Sequence, residues 1–259
     1  MVKQLKLLLI NPTVWKLTFK VLIGLLVIYL SQLLNFSWLA GFIFFISWLL
    51  IYFSFSSEKQ WLFSSFWLTG FYTFWGFKII LNFPVRISTS LLIYFAAGLI
   101  FFLLFGLMNL YFKNRLSAYS FFQDFLLMVI FLIFFHSLSL PWLFPLGFVL
   151  FFSLFFLFKE VFSFAGLNFY RRHAVISLLL ALGTVEVAWL VGFLPLGFIN
   201  GAIFLTLFSF ICRDTALTHF KGGLTLSFVF IQISLFLLLS LIIFIFDGNG
   251  IIFILFILS

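Results

Sequence analysis

Apolar runs of about twenty residues recur along the whole chain, and each is long enough to cross a ~30 Å hydrocarbon core as a helix. The composition is 66% apolar and 8% charged, which is too apolar for a water-soluble domain. A β-barrel is excluded because its strands alternate apolar and polar residues. We predict nine spans, at about 17–34, 36–55, 61–81, 88–111, 121–140, 142–158, 174–194, 196–212 and 224–246.

The connections between these spans alternate in length and charge, and this alternation predicts the topology. Short connections such as "NFPVR" and "FLPLGF" join pairs of spans, whereas longer connections such as "KNRLS" and "CRDTALTHFKG" carry charges. Twelve of the fourteen Lys and Arg residues lie in the N-terminal segment or the longer connections. Positive charge in short loops marks the cytoplasmic face. We therefore expect an all-α transmembrane bundle of four hairpins and a closing helix, with a cytoplasmic N-terminus.

The chain reads as a single membrane domain, 1–259, with two short flanking segments. Residues 1–16 form an interfacial segment, in which Lys3 and Lys6 among the leucines of residues 1–10 indicate a short helix lying along the inner membrane surface. Residues 17–246 form the bundle. Residues 247–259 are an apolar tail that is too short to span the membrane.

The motif Pro-Leu-Gly-Phe occurs twice, fifty positions apart, and predicts two matching turns. Pro145 and Gly147 belong to the first copy, and Pro195 and Gly197 to the second. Proline ends a helix and glycine frees the turn that follows. A parallel duplication of one hairpin is one interpretation, and chance in a chain of this composition is the other. Gly197, Gly201 and Ala202 also have the spacing that lets two helices pack closely.

An ionisable side chain stands nine residues before each proline of this motif, namely His136 and Glu186. A lone carboxylate within a span is costly, so Glu186 should be protonated or paired. By the predicted topology, Lys78, Arg86, His136 and Glu186 all lie in the outer half of the membrane. We predict that these four form an intramembrane polar cluster. Snorkelling of Lys78 and a neutral Glu186 are the structural alternatives.

Basic residues of the longer connections are candidates for topology signals and for contacts with lipid headgroups. These residues are Lys113, Arg115, Arg171, Arg172, Arg213 and Lys221. They contribute to the net charge of +8. We therefore expect membrane lipids as partners, with other membrane proteins as further candidates, and we do not expect nucleic acid.

No catalytic or metal-binding motif is evident in the sequence. The chain has a single cysteine, Cys212, and its histidines lack a zinc-ligand spacing. It also lacks the P-loop, dinucleotide-binding and nucleophile-elbow motifs. We expect no cofactor, no metal and no enzymatic activity.

The stretch from Ala181 to Phe208, which includes "VAWLVGFLPLGFINGAIFLTLF", resembles the later spans of uncharacterised multi-pass membrane proteins of bacteria with reduced genomes. The resemblance covers about a tenth of the chain. It implies a multi-pass protein of the bacterial inner membrane and no particular activity.

Two functions fit these features best. The first is a scaffold or accessory membrane subunit, favoured by the short loops and few buried charges. The second is a small transporter or channel for protons, ions or lipids, built on the cluster around Glu186. A transporter needs polar residues through both leaflets, and the predicted inner half is nearly bare. That difference favours the scaffold.

Overall fold

The computed structural model describes residues 12–53, 63–81, 87–108, 114–138, 143–165, 170–194 and 196–246. Within these ranges the chain forms nine α-helices and no β-strand. The helices are α1 (Pro12–Leu33), α2 (Trp38–Phe53), α3 (Phe63–Leu81), α4 (Ile87–Met108), α5 (Arg115–Ser137), α6 (Leu143–Phe164), α7 (Tyr170–Phe193), α8 (Phe198–Phe220) and α9 (Leu226–Phe246).

Six of these helices are long and apolar enough to cross a membrane. The six segments are Val14–Leu33, Arg115–Ser137, Phe144–Phe164, Arg172–Phe193, Phe198–Phe220 and Leu226–Ile243. Two shorter apolar helices are Trp38–Phe53 and Ile93–Met108. The all-helical fold is therefore as predicted, and its helices support a membrane-embedded bundle.

The chain divides into two compact units, and the boundary falls within α5, between Leu126 and Leu127. In the first unit, α1 packs against α2 and α4, and α3 contacts all three. In the second unit, α6 packs against α7, α7 against α8, and α8 against α9. The predictions for residues 1–11 and 247–259 lie outside the described ranges. Residues 12–16, predicted to be interfacial, belong to α1.

The core of the first unit is built around Trp48 of α2. Its indole ring stacks on Phe66 at a centroid distance of 4.7 Å and lies 4.9 Å from Phe101. Phe44 and Phe105 complete the aromatic surround. The indole Nε1 donates a hydrogen bond of 3.0 Å to the carbonyl oxygen of Phe66. This bond satisfies the polar atom of an otherwise apolar side chain.

Gly70 makes room for this indole ring. A Cβ atom built on Gly70 would lie 2.5 Å from Nε1 and 2.8 Å from Cδ1 of Trp48. A Cβ on Gly24 would lie 3.1 Å from the ring of Phe101. Glycine at these positions therefore lets α1 and α3 approach the aromatic core closely.

The core of the second unit depends on a buried face of α7 in which four small side chains follow His173. His173, Ser177, Ala181, Thr184 and Ala188 are buried and recur every three or four residues, so they share one helix face. Small residues at a helix interface let backbones approach closely in a membrane. This face explains why α7 packs so extensively on its neighbours.

Several buried hydroxyl groups donate a hydrogen bond within their own helix. Ser177 donates to the carbonyl oxygen of His173 at 2.7 Å, and Thr184 donates to Leu180 at 2.7 Å. Ser153 donates in the same way to Val149 at 2.7 Å. Such bonds to the fourth preceding carbonyl remove the cost of burying a hydroxyl group. They account for these hydroxyls without a functional role.

The two Pro-Leu-Gly-Phe copies differ in local structure. The first copy lies inside a helix, because α6 begins at Leu143, two residues before Pro145. The second copy precedes a helix, because α8 begins at Phe198, just after Gly197. Proline is tolerated in a first turn, where its missing N–H would have no partner. Pro145 and Gly147 are therefore helical rather than in the predicted turn, and Pro195 lies outside the described residues.

The two glycines that were predicted to pack helices together, Gly197 and Gly201, have different environments. Gly201 is buried, and a Cβ built on it would lie 3.2 Å from the ring of Phe135. Ala202 is buried beside it. Gly197 is the N-cap of α8, and a Cβ there would meet no atom within 4 Å. Packing in this motif is thus made by Gly201 and Ala202, and Gly197 only begins the helix.

Helices α5 to α8 extend beyond the predicted spans at their charged ends. α6 continues to Phe164 rather than 158, α7 begins at Tyr170 rather than 174, and α8 continues to Phe220 rather than 212. Backbone hydrogen bonding continues where hydropathy falls, because a polar side chain does not interrupt a helix. Charges that were predicted for loops, such as Lys159, Arg172 and Arg213, therefore lie on helices.

A glycine cap ends α8. Gly222 has a φ of +71°, and its N–H donates to the carbonyl oxygen of His219 at 3.0 Å. The N–H of Gly223 donates to Thr218 at 3.1 Å. These two bonds form a Schellman motif, which satisfies carbonyls that the helix leaves free. The motif turns the chain sharply towards α9.

Replacing Gly222 with alanine should destabilise the second unit by about 1 kcal/mol, since a side chain in the left-handed region is strained. Thermal unfolding in detergent would measure the change. Gly223→Ala is the matched control, because Gly223 has no positive φ and should tolerate the extra methyl. Equal melting temperatures for Gly222→Ala and the wild type would contradict the proposed strain.

Candidate functional site

The predicted outer cluster falls on exposed positions. Lys78 in the first unit is exposed, and its Nζ lies 5.7 Å from the ring centroid of Trp75. His136 in the second unit is exposed, and its ring contacts Phe198 at 5.7 Å. Glu186 is exposed on α7. Arg86 lies outside the described residues. The joint cluster therefore stays a prediction.

Glu186 lies in the middle of an exposed apolar stripe on α7. The stripe consists of Val175, Leu179, Leu182, Glu186, Leu190 and Phe193. Steps of three and four residues place all six on one side of the helix. Within the described part of the chain, Glu186 makes no ion pair or hydrogen bond. We call this surface the Glu186 stripe.

A second group of ionisable side chains is buried near the opposite end of α7. Glu160 of α6, His173 of α7 and Arg213 of α8 are 6%, 3% and 0% exposed. Full burial of such groups is rare unless they are paired. We call these three residues the buried polar layer.

Three rings bring the ends of α6, α7 and α8 together at this layer. His173 lies 6.1 Å from Phe162 and 5.3 Å from Phe220, and the two phenylalanine rings are 5.5 Å apart. Phe220 is the last residue of α8, and Arg213 lies seven residues before it, or about 10 Å back along the helix axis. The layer is thus within two turns of the helix ends.

Arg213 is held by its sequence neighbour. Its Nε donates to Oδ1 of Asp214 at 3.0 Å, and its Nη2 lies 3.0 Å from the same oxygen. Its guanidinium carbon also lies 5.2 Å from the ring centroid of Phe210. A carboxylate and an aromatic face together stabilise a buried guanidinium. This arrangement stabilises helix packing rather than presenting a charge to a reacting group.

The basic residues predicted to face lipid headgroups have different environments. Arg115, Arg172 and Lys221 are exposed, as that role requires. Arg213 is instead buried, because it occupies the inward face of α8 with Ser209 and Leu217. Lys113 and the side chain of Arg171 lie outside the description. The sequence signal for the burial of Arg213 is its spacing of four residues from Ser209 and from Leu217, which places all three on one face of the helix.

Sequence reasoning also missed Glu160 and His173. Both were assigned to a charged connection, although α6 and α7 continue through them. Their positions follow from helix phase once the true helix ends are known. Hydropathy alone does not give those ends.

Two hydrogen bonds connect helices within the first unit. The hydroxyls of Ser65 on α3 and Tyr119 on α5 are 2.9 Å apart and buried. The Tyr94 hydroxyl on α4 donates to Oε1 of Gln32 on α1. Bonds of this kind stabilise helix pairs in a membrane by about 1 kcal/mol each. Both bonds join side chains of different helices and therefore stabilise helix packing.

A groove runs along the surface between α7 and α8. Its volume is about 430 Å³. Its lining residues are Ile176, Leu180, Ile211, Cys212, Thr215, Ala216, His219 and Leu224. The lining is almost wholly apolar, which suits a hydrocarbon ligand rather than a polar substrate. We call it the α7/α8 groove.

The described residues offer no metal site, and the chain has no match among known proteins. Among the described residues, no group of three or more His, Cys, Asp or Glu side chains could hold a metal ion. Cys212 is a free thiol. No protein-family model, no curated protein and no solved structure matches the chain.

Proposed function

We propose that the protein is a non-enzymatic accessory subunit or scaffold of the membrane, which binds a helix of a partner membrane protein along the Glu186 stripe. The observation that carries this proposal is the exposure of Glu186 in the middle of an apolar helix face. The partner helix would present a hydrogen-bond donor or a basic side chain opposite the carboxylate.

The free-energy cost of exposing Glu186 to lipid supports a partner that covers this side chain. An acidic side chain that faces lipid near the bilayer centre costs about 2.5–3.5 kcal/mol or more. Glu186 lies seven residues from the end of α7, or about 10 Å along the axis. Such side chains almost always face protein or a water-filled cavity. A partner helix would supply the missing protein surface.

The spacing of the stripe also supports a helical partner. Apolar residues at steps of three and four form the seam by which helices pack side by side. The stripe extends over nineteen residues from Val175 to Phe193, and the eighteen steps between them span about 27 Å of helix. That length matches the thickness of the hydrocarbon core.

The proposed topology has nine spans and a cytoplasmic N-terminus, in a bacterial inner membrane. The charged helix ends of α5 to α8 all fall on the side predicted to be cytoplasmic, which supports this arrangement. α2 has sixteen residues and would cross with a locally thinned bilayer. The resemblance of residues 181–208 supports the bacterial assignment.

Transport is the second candidate, and the buried polar layer favours it. In the proposed topology this layer lies in the inner half of the membrane, where the sequence predicted almost no polar residues. However, Asp214 binds Arg213, and the Ser177 hydroxyl bonds to its own helix. An arginine bound in this way supports packing better than a conduction path, although Nε2 of His173 in the same layer has no hydrogen-bond partner among the described residues. We therefore place the scaffold first.

Photocrosslinking in the native membrane tests the scaffold. We expect a benzophenone amino acid at Leu182 or Leu190 to give a protein adduct of defined mass, because these positions flank Glu186 on the stripe. Phe152, which is exposed on α6, is the matched control and should give only lipid adducts. Mass spectrometry of each adduct identifies the partner.

The carboxylate is tested in the same assay. Glu186→Leu should abolish the adduct, whereas Glu186→Gln should retain part of it, because an amide still forms a hydrogen bond. Adducts of equal yield in Glu186→Leu would contradict a role for the carboxylate. An adduct with the mass of two copies of this chain would overturn the accessory subunit in favour of self-assembly.

A further inference from the structure

The α7/α8 groove has a short polar row on its α8 side, although most of its lining is apolar. Cys212, Thr215 and His219 line the groove and follow each other at steps of three and four residues. This spacing places all three on one face of α8. Ile176 and Leu180 line the groove from α7. The groove therefore offers hydrogen-bonding groups from one helix and hydrocarbon from the other.

Two members of this polar row have side chains that no other residue occupies. Thr215 makes no hydrogen bond within the described part of the chain. By contrast, the hydroxyls of Thr184, Thr206 and Thr218 donate to the fourth preceding carbonyl oxygen at 2.7, 2.7 and 2.8 Å. His219 is exposed, and its ring nitrogens likewise make no hydrogen bond among the described residues. Both side chains can therefore bind a ligand in the groove.

The polar and apolar parts of the groove lie at different depths. His219 directly precedes Phe220, at which the membrane-spanning segment of α8 ends. Ile211 lies eight residues earlier, or about 12 Å further into that segment. The volume of about 430 Å³ is in the lower half of the common range of about 300–1,000 Å³ for ligand sites. A single-chain amphiphile therefore fits, with its polar group near His219 and its chain towards Ile211.

We propose that the α7/α8 groove binds one long-chain fatty acid. The carboxylate accepts hydrogen bonds from the Thr215 hydroxyl and the His219 imidazole, and the hydrocarbon chain lies against Leu180 and Ile211. The site is independent of the Glu186 stripe, because no residue of the stripe lines the groove.

Hydrogen-bond complementarity identifies the carboxylate as the polar group. A carboxylate only accepts hydrogen bonds, whereas a threonine hydroxyl donates one and an imidazole donates at least one in either protonation state. Thr215 and His219 are four residues apart on one helix, so their Cβ atoms lie about 5–6 Å from each other. The two oxygens of one carboxylate can therefore bind both side chains at once.

Protection of Cys212 tests the site in the wild-type protein. Cys212 is the single cysteine of the chain and lines the groove, so its alkylation reports on this site alone. The full-length protein is placed in phosphatidylcholine vesicles and treated with N-ethylmaleimide, and intact mass follows the reaction. We expect saturating palmitic acid to slow the alkylation at least about tenfold, because the reaction then requires an empty groove.

Three competitors with the same chain test the carboxylate. Methyl palmitate and hexadecanol lack it and should slow the alkylation less than about twofold at the same concentration. Equal protection by either would overturn the carboxylate site. Equal protection by palmitoyl lysophosphatidylglycerol would overturn the fatty acid in favour of a lipid phosphate. No protection by palmitic acid would overturn the groove as a binding site.

A cysteine outside the groove controls for general effects of fatty acid on the membrane. The control protein carries Leu179→Cys together with Cys212→Ala. Leu179 is exposed and belongs to the Glu186 stripe, so palmitic acid should leave its alkylation unchanged. Equal slowing at this position would overturn the proposal.

Variants test the two assigned contacts. Thr215→Val and His219→Leu should each weaken protection by palmitic acid about tenfold, the effect of losing one hydrogen bond to a charged group. Thr215→Ser should retain protection. Thr218→Val is the matched control, because that hydroxyl donates to the carbonyl oxygen of Asp214. Unchanged protection in both Thr215→Val and His219→Leu would contradict these contacts. The competition uses the wild type, so it remains decisive if a variant does not fold.

Discussion

Replacing Gly70 with alanine is expected to destabilise the first unit by about 1–3 kcal/mol or more, the range for overpacking of a core. The added methyl group would lie 2.5 Å from Nε1 of Trp48, so the indole must move. That movement breaks the hydrogen bond to Phe66 and leaves an N–H unsatisfied among aromatic rings. Unfolding in mixed micelles, followed by circular dichroism, would measure the loss.

Gly183→Ala is the matched control for this substitution. Gly183 also lies within a helix, but a Cβ built there meets no atom within 4 Å. It should be neutral or stabilising by up to about 1 kcal/mol, because alanine favours helix more than glycine. Adding Trp48→Phe to Gly70→Ala should recover part of the loss, since the smaller ring leaves room. A Gly70→Ala protein as stable as Gly183→Ala would contradict this account of the core.

Replacing Asp214 with asparagine is expected to destabilise the second unit by about 1.5–3 kcal/mol, the range for a hydrogen bond to a charged group. Arg213 is fully buried, and Asp214 is the carboxylate that binds its guanidinium. Asparagine removes this carboxylate, so the buried guanidinium loses its ion pair with Asp214. Denaturation of the purified protein at constant pH and salt would measure the change.

The double variant Arg213→Met with Asp214→Asn distinguishes charge from packing. Methionine keeps much of the arginine stem and removes the buried charge, so the double variant should be more stable than Asp214→Asn alone. Arg172→Met is the matched control, because Arg172 is exposed and its charge is already solvated. If the double variant were less stable than Asp214→Asn alone, Arg213 would stabilise the unit through contacts other than this ion pair.

Much of the helical architecture was predictable from local sequence. A run of about twenty apolar residues is helical in lipid because every backbone polar group must be satisfied within the segment. The nine helices within the described ranges accordingly fall near the predicted spans. The cap that ends α8 after Phe220 is also local, since Gly222 and Gly223 form it, although the predicted span ended earlier, at 212.

Helix ends and side-chain environments were less predictable. Hydropathy measures transfer into lipid, so it placed Glu160 and His173 in a loop, although helices continue through both. It placed Arg213 at a headgroup, although that side chain is buried. The two Pro-Leu-Gly-Phe copies looked alike, yet one lies within a helix and the other before one.

The sequence by itself determined that lipid surrounds most of the chain, that the chain is helical, and roughly where the helices lie. Each of these properties depends on a single segment and its composition. The tertiary structure decided which face of each helix is buried, because that choice depends on what its neighbours offer. Small residues along α7 accept neighbouring helices, so the opposite face, with Glu186, is left exposed. Gly70 accepts Trp48 in the same way, and no pattern within α3 alone specifies that contact.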